Sequence, residues 1–261
     1  MTAIKALLLD MDGVLWRDTE PIGDLPAILN QIALKGLKMA FVTNNATRTV
    51  EQYQEKFRSF GVEAAAEQIH TSSKATAKML SKHYPQGGNV YVIGERGLLE
   101  ALEEKGFTNG ETECIAVVVG LDRDLTYEKL RRAALLIRSG SAFIGANPDP
   151  SLPSPAGDVP GAGSILAALE VATGSKPVIV GKSETALLES ATAQLKVESS
   201  EALMVGDRVE TDVAAGQKSG CKTALVLSGV TSEKAARAWR PPPDFIESDL
   251  STLVDKLSAI C

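Results

Sequence analysis

Eight short runs rich in Val, Ile, Leu and Ala recur along the chain. They are "AIKALLLD", "LKMAFVTNN", "NVYVIGE", "CIAVVVGLD", "SAFIGANPD", "PVIVGKS", "ALMVGD" and "KTALVLSG". A strand that is apolar on both faces is at home where helices cover both sides of a parallel sheet. The segments between the runs have helical period. Leu25, Ile28, Leu29 and Ile32 form one stripe ended by Gly36, Tyr53, Phe57 and Phe60 a second ended by Gly61, and Leu187, Leu188, Ala191 and Leu195 a third. Stripes of this kind are chiefly a burial signal. Strand and helix in alternation predict an α/β, doubly wound parallel sheet with right-handed crossovers.

Ligands in such sheets bind beyond the carboxyl ends of the strands. The first run is followed by Asp10-Met11-Asp12-Gly13, the second ends in Thr43-Asn44-Asn45, "PVIVG" leads into Lys182-Ser183, and "ALMVG" into Asp207-Arg208 and then Thr211-Asp212. Acids, hydroxyls, amides and a lysine therefore occupy four strand ends, whereas turns alone would favour Gly, Pro and Ser. Asp10 and Asp12 before a glycine also suit a simple acidic turn, since Asp and Gly are turn residues.

The middle, 79–178, carries its own strands together with helices expected near 95–105, 127–138 and 163–173, and none of the four loaded strand ends. This predicts a discontinuous first domain over 1–78 and 179–261, with a second α/β domain inserted as 79–178. Within the insert, "NPDP" at 147–150 reads as a strand-ending turn. Its Asn147 and Asp149 are also placed to contact substrate or the core domain. "VPGAGSI" reads as a helix start or a wall of the site, and the Pro-rich "RPPPDF" as a rigid turn before a last strand and helix.

Of 261 residues, 33 are acidic and 27 basic, a formal net charge of −6 that lacks the basic footprint of a nucleic-acid binder. A small-molecule ligand fits better. The three cysteines, Cys114, Cys221 and Cys261, have no ligand or redox spacing, and the N-terminal apolar stretch is broken by acids before it could serve as a signal segment. A cytoplasmic, membrane-free protein is the expectation. His70 and His83 are the only histidines and read as structural or solvent residues, so carboxylates and lysine come first as chemical groups. "VGKSET" is not a nucleotide-binding P-loop, because Lys176 stands where the first glycine of that loop belongs.

If the strand ends converge, Asp10, Asp207 and Asp212 crowd three carboxylates together, and their repulsion calls for a cation. Oxygen ligands of this type suit Mg²⁺. Lys182 would offset phosphoryl charge, and the Thr43 hydroxyl would hold phosphoryl oxygens. A carboxylate so placed can attack phosphorus and form an aspartyl-phosphate, which splits hydrolysis into two displacements. Asp10 is the better nucleophile, and Asp12 can protonate the leaving oxygen and later deprotonate water.

"DMDGVLW", "VTNN", "VGKS" and "VGDRVETD", in this order, resemble the four signature motifs of the haloacid dehalogenase superfamily of phosphohydrolases. The insert resembles the class IIA cap of NagD-like and p-nitrophenyl-phosphatase-like members, and the similarity spans nearly the whole chain. The resemblance implies Asp10 as nucleophile and magnesium ligand, and Asp12 as acid/base with its backbone carbonyl on the metal. It assigns Thr43, Asn44 and Lys182 to phosphate, Asp207 to the metal, and Asp212 in or just behind the metal's ligand shell. It also allows a homodimer through the cap. Ser183 stands where proline commonly follows the lysine, and Glu210 where aspartate is common. The activity implied is a Mg²⁺-dependent phosphatase acting on small phosphomonoesters. Phosphoryl transfer to a sugar hydroxyl, as in a mutase, and non-catalytic sensing of a phosphometabolite are the alternatives.

Overall fold

The computed structural model describes residues 3–152 and 157–257; Cys261 lies outside them. The chain enters through β1 (Ala6–Leu9), all four residues of which are buried. It then turns tightly, with the amides of Val14, Leu15 and Trp16 all donating to the Met11 carbonyl. A two-residue-per-arm hairpin follows, β2 (Trp16–Arg17) against β3 (Glu20–Pro21). Helix α1 (Leu25–Leu34) opens on Asp24, whose side chain accepts from the Ala27 amide, and has Pro26 in its first turn, a pairing suited to helix starts. It buries the expected stripe, Leu25, Ile28, Leu29 and Ile32. After β4 (Lys38–Thr43), α2 (Val50–Ser59) buries Tyr53 and Phe57. Phe60 of the expected stripe falls just past its end, beside Trp16. The segment closes with β5 (Ile69–Thr71).

Helix α3 (Ser72–His83) leads into β6 (Gly88–Ile93), α4 (Arg96–Glu103), β7 (Phe107–Asn109), β8 (Ala116–Val119), α5 (Tyr127–Arg138) and β9 (Ala142–Gly145). A short antiparallel pair, β10 (Ser151–Leu152) and β11 (Val159–Pro160), precedes α6 (Ala162–Thr173) and β12 (Val178–Ile179). The three helices expected in the insert are α4, α5 and α6. The chain then returns through α7 (Ala186–Leu195), β13 (Ala202–Gly206), α8 (Ala214–Ser219), β14 (Lys222–Val226), α9 (Glu233–Ala238), β15 (Phe245–Glu247) and α10 (Leu250–Leu257). Helix α7 buries Leu187, Leu188, Ala191 and Leu195 as expected.

Two compact units result. The first, 1–43, 51–70 and 182–261, holds a six-stranded sheet in the order β15-β14-β13-β1-β4-β5. In it β1 pairs in parallel with β13 on one side and β4 on the other, Leu9 lying opposite both Val205 and Phe41. The second, 44–50 and 71–181, holds a five-stranded sheet in the order β12-β9-β8-β6-β7, also parallel. The expected boundaries at 78/79 and 178/179 thus move outward to 70/71 and 181/182, and 44–50 is added. The reason is packing: Ala77 and Leu80 of α3, together with Ala46 and Val180, are buried in the cluster formed by Val90, Val92, Leu98, Ala116 and Val118 of the insert. Periodicity marks α3 as a helix but does not say which sheet its apolar face covers.

The "VPGAGSI" segment is the start of α6, with Gly161 as its N-cap. The Gly161 amide donates to the Pro150 carbonyl (2.9 Å) and the Gly163 amide to the Asp149 carbonyl (2.8 Å). A Cβ on Gly163 would fall inside contact distance of the Pro148 carbonyl oxygen, so the loop 147–150 can lie on the helix only because the residue has no side chain. Gly163→Ala is expected to destabilise the protein by about 2 kcal/mol, the scale of a substitution with no room for added atoms. The melting temperature measures this, and an unchanged value would show that the loop moves aside freely.

Candidate active site

The first unit gathers Asp10, Asp207 and Asp212 so that one carboxylate oxygen from each lies within 4.8 Å of the others, all three residues being buried. Asp10 follows β1 and Asp207 follows β13, neighbouring parallel strands, and the Asp10 amide donates to the Val205 carbonyl (2.9 Å). Asp212 arrives from a single wide helical turn, Val209–Val213, with the hydrogen bonding of a π-helix. That turn lets Asp212 Oδ2 accept from the amides of Asp207 (3.1 Å) and Arg208 (3.0 Å). The geometry that aims this carboxylate is therefore set by its own loop.

Lys182 lies in the middle of the acids and is 2% exposed. Its Nζ is 2.5 Å from Asp10 Oδ1 and 2.7 Å from Asp212 Oδ1, and it donates to the Val42 carbonyl at 3.2 Å. The Lys182–Ser183 peptide bond is cis. Thr43 ends β4, next to β1, and is buried in the same unit. Asp12 lies at the edge: its side chain is 45% exposed, against 10% for Asp10. The acidic cluster contains no histidine.

Three negative charges face one lysine. Burial, reinforced by Asp212 and Asp207 against the opposing pull of Lys182, pushes the Asp10 carboxyl well above its ordinary range. Burial and then Asp212 push Asp207 up to about 7. Burial alone would lower Lys182, but Asp10 and Asp212 overcome it and hold the ammonium protonated. A cluster that must otherwise take up protons, built only of oxygen donors, fits a hard divalent cation. The surroundings have the same character. A Cβ on Gly13 (φ +87°) would lie 2.6 Å from Asp207 Oδ2, and Cβ atoms on Gly229 and Gly206 would collide with Asp207 and Asp212.

Three expected residues are engaged elsewhere. Asn44 belongs to the second unit, where its Nδ2 donates to Asp149 Oδ1 (3.2 Å) and its carbonyl accepts from Asn147 Nδ2 (2.8 Å) and Ser72 Oγ (2.6 Å). Asn147 is 4% exposed, and its Oδ1 accepts from the Asp149 amide (3.2 Å). Asn147 and Asp149 thus hold the 44–50 segment within the second unit. Sequence reasoning missed Gly229 and the Val230 amide, which donates to Asp207 Oδ2 (2.7 Å). It also missed Trp16, whose Nε1 donates to Asp12 Oδ1 (2.8 Å). The "LSGV" that follows β14 carries no acid to draw attention to it.

Comparison with known proteins identifies the family. A family described as haloacid dehalogenase-like hydrolase matches residues 7–108, and a second HAD-hydrolase-like family matches 179–253. The 5'-nucleotidase YutF of Bacillus subtilis is 41% identical over 234 residues, covering 90% of this chain and 91% of that protein. The chain belongs to the haloacid dehalogenase-like hydrolases. Among solved structures, p-nitrophenyl phosphatase from Archaeoglobus fulgidus superposes with a TM-score of 0.91 at 32% identity, covering 97% of this chain and 99% of that one. Glycerol phosphate phosphatase from Mycobacterium tuberculosis, in complex with magnesium, gives 0.89 at 33% identity, covering 96% of this chain and 76% of that one. This family member is an enzyme of the phosphoric monoester hydrolase class, on the NagD and p-nitrophenyl phosphatase branch. Among the described residues no helix is long and apolar enough to cross a membrane.

A carboxyl whose pKa is higher in the folded than in the unfolded state keeps a proton that the unfolded chain gives up. Its contribution to stability is complete below the ordinary value, 3.8 for Asp207, and is lost as pH rises through about 7. In chelator, melting temperature is therefore expected to fall between about pH 5 and about pH 8, and Mg²⁺ to raise it most at the upper end, where the ligands are ionised. Asp207→Asn should flatten both trends. An unchanged slope in that variant would remove Asp207 from the cluster's proton balance.

Proposed function

We propose that the protein is a Mg²⁺-dependent phosphatase that hydrolyses small phosphomonoesters through an aspartyl-phosphate on Asp10. The observation that carries this is the buried meeting of Asp10, Asp207 and Asp212 around Lys182. Asp10, Asp207 and Asp212, with the Asp12 carbonyl, would hold the magnesium, which when bound supplies positive charge against the carboxylates and the phosphoryl oxygens.

Lys182 holds Asp10 Oδ1, so Oδ2 is assigned to attack phosphorus. As the Asp10 oxygen bonds to phosphorus the ester oxygen departs, and Asp12 gives it a proton. Asp12, now ionised, then takes a proton from water, which attacks the same phosphorus, and inorganic phosphate leaves as the Asp10 carboxylate is restored. The exposure difference suits this division of labour. The assigned nucleophile is buried among fixed charges, and the assigned proton carrier is half-exposed, open to leaving group and water. Lys182 balances charge that the attacking carboxylate and the phosphoryl group would otherwise add to an acidic pocket. Thr43 is assigned to the phosphoryl oxygens.

The named relatives act on nucleotides, p-nitrophenyl phosphate and glycerol phosphate, so a phosphomonoester of nucleotide, sugar or polyol is the substrate class proposed. Asp10→Asn should lower turnover by at least about 10⁴-fold, the scale seen when a nucleophile is removed. Phosphate release across a phosphomonoester panel tests it, and a rapid acid quench of the wild type should leave a phosphate-sized mass increase on the peptide bearing Asp10. Full turnover by Asp10→Asn would refute the reading. A second expectation is that chelator abolishes phosphate release and Mg²⁺ restores it, with turnover in chelator as the contrary result.

A further inference from the structure

We infer that Trp16 and Lys56 are positioning residues that fix Asp12 for proton transfer to the leaving oxygen; this rests on the reading of Asp12 as acid and base given above. Asp12 is the one acid of the pair at 10 and 12 that packing does not immobilise, its side chain being 45% exposed. A half-exposed carboxylate samples several rotamers, and each misplacement costs rate because proton transfer needs contact geometry. Two neighbours remove that freedom. Trp16 Nε1 donates to Asp12 Oδ1 at 2.8 Å, and Lys56 Nζ lies 3.9 Å from the same oxygen. Both engage Oδ1, which leaves Oδ2 as the oxygen that carries the proton.

The two neighbours are themselves held. Trp16 is wholly buried, with Phe57 edge-on at 5.1 Å between centroids and Phe60 at 5.7 Å, and Phe57 packs on Phe41 at 4.5 Å. The indole N–H is thus aimed by an aromatic cluster that joins β2, α2 and β4. Lys56 sits on α2 with only 11% of its side chain exposed, and its Nζ lies 4.2 Å from the centroid of the Trp16 ring. A lysine so far withdrawn from water loses hydration, which the ring face and the Asp12 carboxylate replace. An ion pair with a half-exposed partner adds little stability. Fixing the carboxylate is the larger effect open to it.

The leaving group separates positioning from mere support of the fold. The ratio kcat/KM covers the steps through departure of the leaving group. p-Nitrophenolate leaves without a proton, whereas the alkoxide of glycerol phosphate requires one. Lys56→Met and Trp16→Phe are expected to lower kcat/KM for glycerol phosphate by about 10- to 100-fold, a part of the 10²–10⁴-fold attributed to general acid catalysis, and for p-nitrophenyl phosphate by less than about 3-fold. Lys56→Arg, which keeps the cation, should restore the glycerol phosphate rate. Asp12→Asn run beside them distinguishes the two readings. If it discriminates between the substrates and the Lys56 and Trp16 variants do not, the positioning role is refuted while Asp12 stands as the acid. If Asp12→Asn lowers both substrates alike, the assignment of Asp12 itself falls. Equal losses on both substrates in Lys56→Met would mark a structural role and overturn the inference.

Discussion

The burial of three carboxylates around one ammonium is the interaction from which the rest of the first unit takes its shape. Bringing Asp10, Asp207 and Asp212 out of water without compensation would be prohibitive, and Lys182 supplies only part of the balance. The remainder comes from backbone. The amides of Asp207 and Arg208 converge on Asp212, the Val230 amide on Asp207, and the Val42 carbonyl shares Lys182. Each of these groups is fixed by a strand end or a tight turn, so the charge arrangement survives only while the parallel sheet and its loops are intact. The glycines at 13, 206 and 229 follow from the same requirement, since any side chain there would occupy space the carboxylates need.

That cluster was readable in the sequence because it obeys one rule. In a parallel sheet the functional groups leave at the carboxyl ends of strands, and every acid of the cluster directly follows a doubly apolar run or lies one turn beyond it. Lys182 was readable on the same ground, and so were the helical stripes of α1 and α7, where burial follows a 3.6-residue period within one segment. What escaped was set by contacts between distant segments. Nothing local in "RPPPDF" or "LSGV" says that the Val230 amide serves Asp207. Nothing in "EQYQEKF" tells a solvated lysine from one folded onto a tryptophan forty residues earlier. The hairpin Trp16–Pro21 escaped as well, because two-residue arms are too short to show any period.

The boundary between the units was misplaced for a related reason. Helix α3 has the pattern of any amphipathic helix, and the pattern carries no address: Ala77 and Leu80 settle among Val90, Leu98 and Ala116, and the division moves to Thr71 with them. The crossing points then fall inside two of the motifs that identify the family. Thr43 belongs to the first unit and Asn44 to the second, and Gly181 and Lys182 are divided in the same way. Asn147 and Asp149 take their meaning from this. Their hydrogen bonds to Asn44 give the short segment 44–50 a fixed place in the second unit, work that a single polar loop in the sequence could not reveal.

Two acids separated by one residue end in unlike surroundings. Side chains on successive alternate positions of a continued strand would share one face. Here the strand stops at Leu9, and the turn closed by the three amides on the Met11 carbonyl swings Asp12 away from the cluster that encloses Asp10. Asp10 is left among fixed charges, where its carboxylate is aimed but water is scarce. Asp12 is left beside solvent, where proton exchange is easy but orientation must be supplied. The indole of Trp16, which the same turn brings back to pair with Asp12, supplies it. One tight turn therefore separates the two environments and also returns the group that holds the second acid in place.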